Sequence, residues 1–534
     1  MSLSHLLERA WPQAQTLVPE KQGDGWTLFF SLGSPESRAR VVTARGRSFP
    51  EAWLAGAQAL QKQRHKSQEE PCWLRVEVVN KTEPLSWGQL KEKLARTKRN
   101  YFRFGLSFDA QFSRALLEME INANAILYDG KIPVATPNAG NLARYSERRF
   151  GEALRWPESD GETLWRFTTR GLFTDGRQVW ELTSQGRYSG FRQVENWQQT
   201  ALPQVITQGC DFLARQVLAQ GKYEYGWFPC FDRRIGTYNA LRHASSTWAL
   251  IDGWSLTRNP EHKAAIERAL DYLTGQLIQH FSLPDGGSAD FVVDVGDEIK
   301  LGANAVAILA LAKYSEVTGE TRYLEQMNRL AEGIAFMQDP HSGGFVHVLN
   351  AADLSLKEAH RIIYYDGEAA FALMRLYSLT AEARWLDRVK KAVDHFIVKE
   401  HWRAHDHWLG YCINELTIYC PEEKYFRFAL DNVRDHLDFV VDRVTTYPTL
   451  LELMMAAQQT LTRLANSPHR GLLADFDLAK FNRALETRAR YLLNGFFWPE
   501  LAMYFKRPRR IVGSFFIRHH GYRVRIDDVE HYLS

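Results

Sequence analysis

The side chains able to do chemistry fall in five short stretches. Tyr238-Asn239-Ala240-Leu241-Arg242-His243 puts a phenol, an amide, a guanidinium and an imidazole at the start of an apolar segment. Asp285 stands in Pro284-Asp285-Gly286-Gly287, and Asp366 and Glu368 stand in Tyr364-Tyr365-Asp366-Gly367-Glu368. His405-Asp406-His407-Trp408 sets two imidazoles beside a carboxyl group and an indole. Arg525-Ile526-Asp527-Asp528 carries charge close to the last residue, Ser534. Cleaving a glycosidic bond needs one carboxylic acid to protonate the leaving oxygen and one carboxylate as base or nucleophile. Asp366, Glu368, Asp406 and Asp527 are the carboxyl groups expected to serve, with His243 as a further acid or base. Removing a proton beside a carbonyl needs a Tyr or His base and an Arg or Asn to neutralise the substrate. Tyr238, Asn239, Arg242 and His243 would supply that set. Asp285, His405, His407, Trp408 and Arg525 are expected to bind substrate, Trp408 by stacking on a sugar ring.

Each of these residues also has a plain structural reading. Asp366 suits a helix N-cap and Asp285 a turn. The charges from Arg525 to His531 suit ion pairs that close the fold. His405 and His407 flank Asp406 and could hold a metal, but no metal site is expected there. No GxxxxGK[ST], GxGxxG, GxSxG or HExxH pattern occurs, so no cofactor is expected.

The elements that must position these residues are of two kinds. Residues 1–195 read as a smaller α+β domain. Trp26–Leu32, Ala39–Gly46 and Trp73–Val79 have strand character, as do Ala123–Gly130 and Gly171–Trp180. A helix is expected from Ser48 to Gln63, and Asn138–Arg149 reads as loop or short helix. Residues 196–534 read as successive amphipathic helices, including Ala240–Leu256, Glu261–His280, Ala303–Thr318 and Ala383–Val398. Tight turns recur at intervals of roughly 60 residues, a period that suits a helical hairpin with one long connection.

Composition narrows the class. The chain has 534 residues, enough for more than one core, and 45% are hydrophobic. A net charge of +3 is too small to argue for nucleic acid. The five cysteines are odd in number and form no CxxC pair, which argues against a disulfide framework. No basic segment followed by an apolar run opens the sequence, and no stretch is apolar enough to span a membrane. The expectation is a cytoplasmic protein with no membrane partner.

Tyr238–Ala244, Asp285–Gly287, Tyr364–Ala369, His405–Trp408 and Arg525–His531 together resemble the six-hairpin glycosidase-like (α/α)6-barrel superfamily, in a poorly characterised bacterial branch. The resemblance implies a mainly α protein whose C-terminal (α/α)6 toroid follows the α+β domain. It implies a carbohydrate or oligosaccharide substrate and a glycoside hydrolase using paired carboxylates in the barrel cleft. A uronate lyase or sugar epimerase using Tyr, His and Arg is the alternative, and a non-catalytic glycan-binding or assembly protein the third.

Overall fold

The computed structural model describes residues 2–17, 25–64 and 70–534, which form two compact units. Unit 1 gathers Met1–Pro203, Gly226–Ile235 and Asn494–Val524. Residues 494–524, expected with the helical half, are thus built into the first unit. The buried charges there give the reason. Arg192 holds the Glu500 carboxylate through two hydrogen bonds of 2.7 and 2.6 Å. Arg75, paired with Glu77, also donates to the Glu500 carbonyl at 3.1 Å. Ionised groups this deep persist only when paired and hydrogen-bonded.

The sheet of unit 1 has seven strands: β1 (Trp26–Gly33), β2 (Arg40–Gly46), β3 (Trp73–Ser86), β4 (Gly105–Ser107), β5 (Ala115–Leu116), β6 (Thr163–Thr174) and β7 (Val179–Leu182). Their order is β2-β1-β3-β6-β4-β5, with β7 beside β6 and every pairing antiparallel. Leu28, Phe30, Val76 and Val78 sit at period two and share a core with Leu3, Leu6 and Ala10 of helix Leu3–Ala14. Ala52 and Leu60 of helix Phe49–Arg64 join the same core. Ala123–Gly130 is not a strand. The segment ends a short helix, Glu118–Ala123, and the Asn122 and Asn124 side chains donate to the Phe102 and Glu120 carbonyls, which takes the backbone out of sheet pairing. Ala139–Phe150 is a full helix, capped by Asn138, whose side chain accepts the Asn141 N–H at 3.0 Å.

Unit 2 gathers Gln204–Tyr225, Gly236–Leu493 and Arg525–Ser534. Its main helices are α1 (Leu202–Gln216), α2 (Ala240–Thr257), α3 (Pro260–Tyr272), α4 (Leu301–Thr318), α5 (Leu324–Phe336) and α6 (Tyr364–Thr380). They continue with α7 (Ala383–Val398), α8 (His407–Tyr419), α9 (Glu423–Arg434), α10 (Thr449–Ala465), α11 (Leu478–Leu492) and α12 (Ile526–Leu533). The even-numbered helices touch one another in turn, and α12 returns to α2, so they close a ring. The odd-numbered helices lie outside, each against its inner neighbours. Composition explains the sorting. Inner α4 is buried almost throughout and is apolar all round, whereas outer α7 buries only Trp385, Val389, Ala392, Val393 and Phe396, one stripe at helical spacing.

Each inner helix is preceded by an outer one, and the six inner N-termini gather at one end of the ring. The long connections add an antiparallel sheet of Ile278–Ser282, Ser288–Asp294, Glu298–Lys300, Val348–Asn350 and Leu356–Glu358. The helix expected to run to His280 stops at Tyr272. A single π-helical segment, Leu273–Leu277, contains the helix-weakening Gly275, and the chain then pairs as a strand.

Candidate active site

The polar residues of unit 2 collect on the first two turns of the inner helices. Asp366 and Glu368 lie at the start of α6, Asp406 caps α8, Glu452 opens α10, and Asp527 and Glu530 belong to α12. The partial positive charge of six helix N-termini favours carboxylates there. Three clusters result.

The first is buried and holds His407, Glu452, His531, Glu368, Glu530 and Asp406. His531 Nδ1 lies 3.1 Å from the Glu452 carboxylate and 3.5 Å from Glu530. Tyr411 donates to Glu452 at 3.3 Å and Ser534 at 2.8 Å. His407 Nε2 is 3.9 Å from Glu452 on the other side, and the two imidazole centroids are 5.5 Å apart. Asp406 accepts the Leu409 N–H at 2.9 Å and has its second oxygen 3.3 Å from His407 Nδ1. That second oxygen makes no hydrogen bond among the described residues.

Charge is divided unevenly in this cluster. Burial, reinforced by the Asp406 and Glu530 charges, pushes the Glu368 carboxyl up to about 8. Burial also raises Glu530 to about 8, with Glu452 and Asp527 adding to it against His531. For Glu452, burial works the same way, but His531 and His407 outweigh it and hold the carboxyl below its usual range. Burial opposes the charge on His531, yet Glu530 and Glu452 keep it protonated well above the ordinary imidazole range. At neutral pH the cluster therefore contains neutral Glu368 and Glu530, ionised Glu452 and cationic His531. Glu368 Oε2 and His407 Nε2 are buried and have no hydrogen-bond partner among the described residues. Gly302 of α4 makes the space for that carboxyl, since a Cβ there would fall 2.0 Å from Glu368 Oε2 and 2.6 Å from the Tyr365 ring.

The second cluster is an ion-pair network. Arg242 donates to Asp527 at 2.8 Å and to the Tyr225 hydroxyl at 2.6 Å. Arg525 forks onto the same Asp527 carboxylate. Burial opposes the charge on Asp527, and the two guanidinium groups overcome it and lower its pKa. In the third cluster His347 Nε2 is 3.1 Å from Asp366, while His347 Nδ1 accepts the Arg361 backbone N–H at 2.9 Å. The backbone donor fixes the proton on Nε2, which donates to Asp366.

Two groups hold donor atoms all within 4.8 Å of one another, His407 with Glu452 and His531, and His347 with His360 and Asp366. The second is poorly suited to a cation, because Nδ1 of His347 is taken by the backbone and Nε2 carries its proton toward Asp366. The first, two imidazoles and a carboxylate, has the donor types of a metal site.

The residues singled out from the sequence divide among these clusters. Glu368, Asp406 and His407 come together in the first, Arg242, Arg525 and Asp527 in the second, and Asp366 lies in the third. His243, expected to face the cleft, is instead a core residue that is fully buried. Its Nε2 lies 2.9 Å from the Ala269 carbonyl and its Nδ1 2.8 Å from the Tyr238 hydroxyl. Since a carbonyl only accepts, Nε2 donates and Nδ1 accepts from Tyr238. Burial lowers the His243 pKa to about 4. Tyr238 in turn accepts the Tyr223 N–H at 3.1 Å, so the pair is satisfied internally.

Asn239 is the N-cap of α2 and accepts the Arg242 N–H at 3.1 Å. Asp285 is exposed at a hairpin tip, bonding the Gly287 N–H. His405 turns away to the Asn432 carbonyl of outer α9 and stacks on His436 at 4.2 Å. Trp408 is buried against Trp248 and Tyr411 and offers no ring face to a sugar. Glu452, Glu530, Tyr411 and His347 were not singled out, and His531 was read as structural. The signal for Glu452 was its place beside buried Leu450, Leu453 and Met454, where a carboxyl group has no business in an ordinary core.

No family model and no curated protein matches this sequence. Among solved structures the chain is similar to a D-mannose isomerase, with 11% identity over 64% of this chain and 97% of that one and a TM-score of 0.48. It is similar to a cellobiose 2-epimerase from Bacillus thermoamylovorans, with 13% identity over 62% and 93% and a TM-score of 0.44. It is also similar to an unsaturated glucuronyl hydrolase specific for heparin, with 12% identity over 62% and 95% and a TM-score of 0.44. The closed double ring of unit 2 is the six-hairpin (α/α)6 architecture that the sequence resembles.

Proposed function

We propose that unit 2 is a carbohydrate-active enzyme whose chemistry is proton transfer at carbon, as in a sugar isomerase or epimerase. The observation that carries this reading is the buried row His407–Glu452–His531 beside the protonated Glu368. His407, whose buried Nε2 has no hydrogen-bond partner among the described residues, is the base that removes a proton beside the carbonyl of an open-chain sugar. Neutral Glu368 donates a hydrogen bond or proton to the carbonyl oxygen as charge develops there. His531, held cationic by Glu452, stabilises the enediolate and returns a proton. Electrostatic help of this kind is strongest in a site walled from water.

Hydrolysis by paired carboxylates is the weaker reading. Asp527 is engaged by two arginines and Asp366 by His347, while one oxygen of Asp406 is spent on the α8 N-cap. Glu368, which has no hydrogen-bond partner at Oε2 among the described residues, is protonated. The test is a panel of aldoses, ketoses and disaccharides incubated with the protein and followed by NMR. An epimer or an aldose–ketose interconversion is expected. Cleavage of a glycosidic bond without either product would favour the hydrolase.

A further inference from the structure

Unit 1 contains a cationic cavity that the chemistry of the ring leaves unused. Helix Ala139–Phe150 places Arg144 and Arg148 one turn apart, a like-charge spacing that needs a compensating partner. The neighbouring Arg149 has one, the buried Glu120 at 3.0 Å. Arg148 instead donates to the Asn124 side-chain oxygen at 3.1 Å, and Arg144 to that of Asn141. Arg38 spends its guanidinium on three carbonyls, those of Ala123, Tyr504 and Cys230, at 3.0, 2.6 and 2.6 Å. Lys506 reaches only the Phe231 carbonyl, at 3.5 Å.

Among the described residues none of these four cations is paired with a carboxylate. All four line a cavity of about 240 Å³ together with Asn124 and Asn141. Arg38, Arg148 and Lys506 also line an adjoining cavity of about 490 Å³, which Arg40 and Arg149 enter. No Asp or Glu lines either one. Burial, and after it the charge of Arg148, lowers the Arg38 pKa to about 10.

Arg144, Arg148 and Lys506 are exposed and Arg38 is half-buried, and all four line the one cavity. We propose that this cavity binds the phosphoryl group of a small phosphate ester. Three guanidinium groups and an ammonium exceed what one carboxylate neutralises, and guanidinium forks match phosphoryl oxygens in pairs. The Tyr145 and Phe231 rings on the wall offer apolar surface to the rest of the ester.

The test is calorimetric titration of the full chain at constant ionic strength with pyrophosphate, glucose 6-phosphate and AMP, and with acetate for comparison. At least one phosphate compound is expected to bind one-to-one, and acetate not to. The sugar phosphate and the nucleotide then show which ester fits. The double variant Arg144→Gln, Arg148→Gln changes exposed side chains, so its melting curve is expected to match wild type while affinity falls about tenfold or more. Three results would each overturn the proposal: no phosphate compound binds, acetate binds equally well, or the folded variant binds unchanged.

Discussion

Replacing Glu368 by Gln separates two consequences of one buried carboxyl group. In the folded ring its pKa is about 8, raised by burial and then by Asp406 and Glu530, against an ordinary value of 4.5. Between these values the folded state keeps a proton that the unfolded chain has released. Stability therefore falls as pH rises from 4.5 and levels off above about 8. At pH 7 the cost is about 3 kcal/mol, from about 2.5 units at 1.36 kcal/mol each. Glutamine keeps the shape of the protonated acid and does not titrate. Glu368→Gln is thus expected to be more stable than wild type by about 3 kcal/mol at pH 7, somewhat more so at pH 8, and no more stable near pH 4.5. Its turnover is expected to drop by roughly 10²- to 10⁴-fold, the usual contribution of a general acid. Denaturant unfolding at the three pH values, with turnover measured on the same samples, checks both. A Gln variant less stable at pH 7, or one whose stability difference does not change with pH, would refute the reasoning.

Three further perturbations follow from the clusters. His243→Ala leaves the Tyr238 hydroxyl and the Ala269 carbonyl without their partner, so a loss of about 1–3 kcal/mol is expected with turnover per folded molecule kept; unfolding and activity assays on one preparation decide it. Arg525→Ala strips one of two guanidinium groups from the buried Asp527, and a destabilisation toward the low end of about 3–5 kcal/mol is expected, because Arg242 remains; a denaturant midpoint shift measures it. Gly302→Ala would set a Cβ against Glu368 Oε2, and the folded variant is expected to lose activity along with the stability change seen between pH 4.5 and 8.

The ring was legible from tight turns recurring at roughly 60 residues, which suit helical hairpins with one long connection, and from the motifs that carry the resemblance. Inner and outer helices alike read as amphipathic from the sequence; only the structure separates Leu301–Thr318, buried almost throughout, from Ala383–Val398, buried along one stripe. The segment 494–524 was misplaced because its attachment depends on Glu500 meeting Arg75 and Arg192, residues more than three hundred positions away. The start of the strand at Ile278–Ser282 was read as helix, to His280, because Ile278 and Phe281 stand three apart as on a helix face, and only pairing with Ser288–Asp294 decides. The site divides the same way. Glu368, Asp406 and His407 stood out as polar residues at helix starts. His243 stood out equally, and nothing local distinguishes a histidine bonded to Ala269 from one facing a cleft. Glu452 and Glu530 were not singled out: the carboxyl of Glu452 among Leu450, Leu453 and Met454 was a signal, but the role of both comes from His531 arriving on the last helix to close the ring.

Proton movement at carbon by His407 and His531 is tested most directly by running the conversion of a sugar found in the panel in D2O and reading deuterium at the carbon next to the carbonyl by NMR. Wild type is expected to incorporate solvent deuterium into product, and His407→Asn and His531→Asn to lose that incorporation while still folding. Product formed with no carbon-bound deuterium, or undiminished incorporation in His407→Asn, would contradict it.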